Sequence, residues 1–96
     1  MIQLHVTYTM KPGTAPKDFL DALNDANIPE KCQHEEGNIS YNYFFPADAP
    51  NQLFLLEIWE NAEALAVHQQ APHFQQIPSI KEKYVDHTDL HRYETI

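Results

Sequence analysis

Glu57 has the most unusual setting in this chain, standing in the run Leu53-Phe54-Leu55-Leu56-Glu57-Ile58-Trp59 with large apolar neighbours on both sides. A carboxyl group so placed must find a hydrogen-bond partner or keep its proton, because burial disfavours the charged form. It is either a polar group aimed into an apolar pocket or a structural carboxylate tied to a nearby His, Tyr or second subunit, and its position fits both. If the run is a strand, Glu57 shares a face with Leu53, Leu55 and Trp59. Trp59 can stack on a flat aromatic ligand, or it can simply fill a core. His68 comes nine residues after Trp59 and can fold back over that strand. A neutral imidazole can take a proton from a phenol, although a histidine near a helix end can equally be a cap. His5 sits opposite the apolar face of the first strand, either lining a pocket or in water. Tyr41 and Tyr43 share a face of their own strand, where packing explains them before catalysis does.

Other chemistries lack their residues. Six histidines invite a search for a metal site, but His87 and His91 fall on an expected strand, roughly 13 Å apart. His68 and His73 straddle Pro72, and there is neither HExxH nor a Cys/His quartet, so no metal is expected. Gly13 and Gly37 are the only glycines, which excludes a phosphate-cradling loop and a nucleotide cofactor. Ser40 and Ser79 are the only serines, and neither stands in a nucleophile elbow. The single cysteine, Cys32, excludes an internal disulfide and a CxxC motif. Six Lys and Arg against fourteen Asp and Glu give a net charge of −8, which repels nucleic acid and anionic lipid. No apolar stretch approaches a membrane span, and the start, Met-Ile-Gln-Leu-His, does not resemble a signal peptide. The expectation is a reduced, cytoplasmic chain without cofactor, nucleic-acid partner or membrane contact.

These residues must be held by a small set of elements. In residues 1–10, Ile2, Leu4, Val6 and Tyr8 alternate with polar residues, which predicts a strand. Residues 15–27 carry Phe19, Leu20 and Leu23 at helical spacing, Pro29 interrupts, and residues 30–36 can add a polar turn before Gly37. Strands are expected at 38–45 and 52–60, and a helix at 60–70 capped by Asn61. Short helical pieces between Pro72 and residue 83 then lead to a strand at 84–95. One domain, residues 1–96, is expected, with the order β-α-β-β-α-β. That order is the split arrangement of a ferredoxin-like α+β fold with an antiparallel four-stranded sheet. Helices cover one face of such a sheet, yet Gln52–Glu60 is apolar on both sides. A second copy is the least costly cover for the other face, so a homodimer is expected.

The stretches Glu35–Tyr41, Phe54–Glu60, Glu63-Ala64-Leu65 with His68, and Ala71-Pro72-His73-Phe74 together resemble the antibiotic biosynthesis monooxygenase family. The pattern is an acidic-Gly turn entering an aromatic strand, an E-x-W strand, a helix with a histidine, and a small-Pro-His-aromatic corner. The resemblance implies a dimeric α+β barrel. It also implies oxidation of a quinol or similar electron-rich aromatic by dioxygen without a cofactor. On that reading His68 is the base or orienting group and Glu57 its partner or a pocket acid. Trp59 and Phe74 are walls, and Tyr41 and His5 are further substrate contacts. Two alternatives stand beside it: a non-catalytic small-molecule-binding barrel, and an isomerase of a small phosphorylated sugar. For the latter the C-terminal third offers only Lys81, Lys83 and Arg92 as cations. The family's haem-degrading branch carries an Asn, Trp and His where this chain has His5, His68 and Ile77.

Overall fold

The computed structural model describes residues 1–95. The chain runs β1 (Ile2–Met10), α1 (Pro16–Asp25), α2 (Ile28–Gln33), β2 (Asn38–Phe44), β3 (Gln52–Trp59), α3 (Ala62–Gln70), α4 (Pro72–Gln75), α5 (Ile77–Tyr84) and β4 (Val85–Glu94). The strands form one sheet in the order β2-β3-β1-β4, each neighbour antiparallel. This is the ferredoxin-like α+β architecture expected from the alternation of elements.

Helix starts follow the prolines. Pro16, Pro29, Pro72 and Pro78 each lie in the first turn of a helix, where a missing N–H costs nothing. Pro29 therefore opens α2 rather than interrupting a helix, and the break falls on Asn27, which adopts a left-handed conformation at φ 58°. The first helix is consequently shorter than the expected 15–27, and the second starts two residues before the expected 30–36. Asn61 caps α3 as expected, its Oδ1 accepting from the Ala64 N–H at 2.8 Å.

The core lies between the helices and one face of the sheet. β1 and β3 both alternate strictly, so Ile2, Leu4, Val6, Tyr8 and Met10 stand beside Leu53, Leu55, Glu57 and Trp59 on the covered face. Phe19 and Leu23 of α1, Ile28 and Cys32 of α2, Leu65 of α3 and Ile77 of α5 close over them. Full burial of such an aliphatic or aromatic side chain contributes about 1.5–3 kcal/mol. In β2 the register shifts between Asn38 and Ser40, which turns Ile39 outward, while Tyr41 points into the core. Phe45 lies just past the strand and is exposed.

Among the described residues, no helix lies on the opposite face of the sheet. Phe44, Phe54 and Thr7 follow one another across β2, β3 and β1, and Asn42, Leu56, His5 and His91 form the next row. Phe44 and Tyr93 are about half exposed there.

Candidate active site

Between the sheet and helices α3 to α5 lies a cavity of about 190 Å³. Leu4, Val6 and Tyr8 of β1 form much of its floor, and Leu65, Phe74 and Ile77 close it from above. Side chains with polar ends join them, among them Glu57, Tyr41, His68 and Lys81, with Gln69 and Thr88 also in the lining. The pairing registers explain the floor, since Leu4, Glu57 and Tyr41 fall in one row across β1, β3 and β2. The apolar parity of three strands thus carries one acid and one phenol into a greasy chamber.

His68 is the best-held of these groups. It sits in the last turn of α3, almost wholly buried, with its ring 4.6 Å from that of Trp59 and 5.0 Å from that of Phe74. Its Nδ1 lies 2.5 Å from Glu35 Oε2. With Nδ1–H donating to that carboxylate, a neutral ring keeps its lone pair on Nε2. Nε2 has no hydrogen-bond partner among the described residues, and Glu57 Oε1 stands 3.8 Å from it. Burial pulls the His68 pKa below its ordinary value, against the pull of Glu35, which favours the neutral ring near pH 7.

Glu57 shifts the other way. Burial raises its pKa to about 7, with the charge of Glu35 adding to the rise and a hydrogen bond from Trp59 opposing it. That bond runs from Trp59 Nε1 to Glu57 Oε1 at 3.0 Å. Burial likewise pushes the phenols of Tyr41 and Tyr8 above their ordinary range, so both remain protonated donors. Lys81 reaches over the Tyr8 ring, its Nζ 5.5 Å from the centroid, and burial lowers its pKa. The chamber therefore offers a proton acceptor, an acid near its midpoint, two neutral phenols and one ammonium.

Of the residues singled out from sequence, the structure brings Glu57, His68, Tyr41 and Phe74 together around the cavity. Trp59 is fully buried behind them and backs the His68 ring instead of facing the space. The reason is that α3 doubles back over the end of β3. His5 lies on the opposite face of the sheet, its ring 5.7 Å from Phe54 and 4.7 Å from Tyr93. Odd-numbered positions of β1 all point that way, so His5 contributes nothing to the cavity wall.

Two participants, Glu35 and Tyr8, were not singled out as site residues, and Lys81 was named only as one of three C-terminal cations. The parity of β1 marked Tyr8 as inward, but not what it would face. Glu35 is 33 residues from His68, in the turn after α2, and nothing local marks it as a partner. It also approaches His73, with Nε2 to Oε2 at 3.2 Å. The ligating atoms of Cys32, Glu35, His68 and His73 all lie within 4.8 Å of one another. The lack of a sequence motif for a metal site thus did not keep metal-ligating side chains apart.

A family profile described as antibiotic biosynthesis monooxygenase matches residues 1–78. No functionally curated protein matches the chain in sequence. Among solved structures, one from Nitrosomonas europaea, put forward as an antibiotic biosynthesis monooxygenase, superposes with a TM-score of 0.80 at 19% identity, covering 100% of this chain and 99% of its own. A conserved Methanosarcina mazei protein gives 0.81 at 22% identity, with 99% and 92% covered. A Bacteroides thetaiotaomicron protein of unknown function, described as a possible oxidoreductase, gives 0.79 at 25% identity, with 98% and 96% covered. At these identities the structures testify to the shared fold.

Proposed function

The chain belongs to the antibiotic biosynthesis monooxygenase family, and we propose that it oxidises a quinol or similar electron-rich aromatic with dioxygen, without a cofactor. The supporting observation is the cavity itself: an apolar chamber of about 190 Å³ lined by His68 and Glu57. An apolar cavity of roughly 150 Å³ suffices for benzene, so a single substituted ring fits the space.

The chemistry divides between substrate and protein. A phenol is a poor electron donor until it loses its proton; the phenolate can pass an electron to dioxygen directly. His68 Nε2 takes that proton, and Glu35 stabilises the resulting imidazolium through Nδ1–H. The substrate anion gives an electron to dioxygen, and the two radicals join in a carbon–oxygen bond. Cleavage of the O–O bond then releases water and leaves a carbonyl where the ring carried C–H. One oxygen atom enters the product and the other leaves as water, with the ring as the reductant. Tyr41, Tyr8 and Lys81 supply donors toward the oxyanion, and Glu57 in its protonated form can return a proton to the leaving oxygen. Phe74 and the aliphatic walls keep bulk water from the reduced oxygen. Trp59 acts from behind, holding Glu57 by its N–H and His68 by its ring face.

The bare outer face of the sheet goes with the same reading. A twofold dimer would cover Phe44, Phe54 and Leu56 and enclose His5, giving His5 a place in an interface.

An oxygen electrode with a panel of substituted hydroquinones and phenols tests the activity. Oxygen uptake that requires the protein, with quinone formed in equal amount, is the expected result. Ligand-induced thermal stabilisation with no oxygen uptake across the panel would overturn it in favour of a binding protein.

A further inference from the structure

Behind His68, on the side away from the cavity, four potential ligands converge from two parts of the chain. Cys32 is in α2 and Glu35 follows one turn later; His68 ends α3 and His73 is in α4, just after Pro72. We propose that Cys32, Glu35, His68 and His73 form a closed, four-coordinate site for a divalent cation of the zinc type.

Donor chemistry supports this. One thiolate, one carboxylate and two imidazoles are the ligand types that zinc takes, and their ligating atoms lie within 4.8 Å of one another. The spacings also fit: two residues separate Cys32 from Glu35, and four separate His68 from His73. Each pair has the short loop from which a tetrahedral site is built. A thiolate and a carboxylate together carry two negative charges, so a divalent ion makes the buried cluster neutral.

Hydrogen bonding without an ion leaves the cluster incomplete. Glu35 Oε2 is hydrogen-bonded to His68 Nδ1 at 2.5 Å and only lies near His73 Nε2, at 3.2 Å. The second contact is close but does not make a hydrogen bond, and the buried His73 Nε2 has no hydrogen-bond partner among the described residues. Cys32 is wholly buried beside them, and burial pushes its thiol up to about 12. A cation would take the lone pair of His73 and draw the proton from Cys32. Glu35 and His73 are each slightly exposed, which gives the ion a way in.

Four protein donors complete a tetrahedral ion's coordination, so the site is structural and does not meet the substrate. A cation on His68 Nδ1 would leave the ring proton on Nε2, so proton removal by His68 belongs to the metal-free chain and the loaded chain would lack that base. The metal site goes beyond the oxygenase reading, and its test is separate because the readout is metal content.

The test uses untagged full-length protein stripped with EDTA, incubated with Zn²⁺ or Co²⁺ and desalted. About one ion retained per chain is expected, with the intense visible bands of tetrahedral cobalt and a near-ultraviolet thiolate-to-cobalt band. Cys32→Ser should lose the near-ultraviolet band, and His73→Ala should weaken zinc binding at least about tenfold. His73 lies at the surface of the cluster, so that variant keeps the test open if Cys32→Ser fails to fold. Retention of less than about a tenth of an ion per chain, or metal binding unchanged in His73→Ala, would overturn the proposal.

Discussion

Glu57 and His68 are ionisable groups kept from water, and their pKa values move toward each other's side of neutrality. Glu57 rises from an ordinary 4.5 to about 7, so the folded chain holds its proton more tightly than the unfolded chain does. Between those two values folding binds protons, and this group's contribution to stability falls as pH rises through the window. The full loss is about 3 kcal/mol and is complete above pH 7. Glu57→Gln removes the titration and keeps an oxygen to accept from Trp59 Nε1. In EDTA-treated protein, urea unfolding at pH 5 and pH 8 should show the variant gaining roughly 2–3 kcal/mol on the parent between the two. An unchanged difference would mean that Glu57 is ionised in the folded chain. His68 has a lowered pKa and so adds stability as pH rises toward 6.5, a contribution of the same sign in both proteins. The strangeness of Glu57 was legible because six apolar neighbours surround it in sequence. Glu35 was not, because its importance comes only from a histidine 33 residues away.

At the scale of elements, turns decide where these groups arrive. Gly37 adopts φ +83°, a left-handed conformation, and a Cβ there would lie 2.5 Å from the Ala64 Cβ of α3. The backbone at Gly37 also accepts from the Glu60 N–H at 2.8 Å, tying the start of β2 to the end of β3. Gly37→Ala combines a strained backbone with a collision against α3, and should destabilise the chain by at least about 2 kcal/mol in urea unfolding. Asn61→Ala, which removes only the α3 cap, should cost about 1 kcal/mol by the same measurement. A Gly37→Ala cost no greater than the cap's would show that the turn can relax. Strand parity and the prolines located most of these elements in the sequence. The misplaced boundary at Pro29 has a physical cause: proline both ends and begins helices, and only the backbone at Asn27 shows which. In the same way, the alternation of β2 could not reveal the register shift that turns Ile39 outward.

For the molecule as a whole, one sheet face is sealed by helices and the other presents Phe44, Phe54, Leu56 and Ile58, with no helix over it among the described residues. The two-sided apolar pattern of β3 made that face readable from sequence; what it meets is beyond a single chain. Sedimentation at micromolar concentration should show a dimer, and Leu56→Lys, at the middle of the outer face, should shift it to monomer while helical content is retained. A parent protein that sediments as a monomer would leave that face without its proposed cover. The chamber on the sealed face is where reaction would occur, and oxygen uptake by EDTA-treated parent and by EDTA-treated, folded His68→Ala, on the most reactive hydroquinone, tests it most directly. Loss of about 100-fold or more in rate is expected when the proton acceptor goes. Equal rates in the two proteins would contradict proton removal by His68 and with it the catalytic role of the cavity.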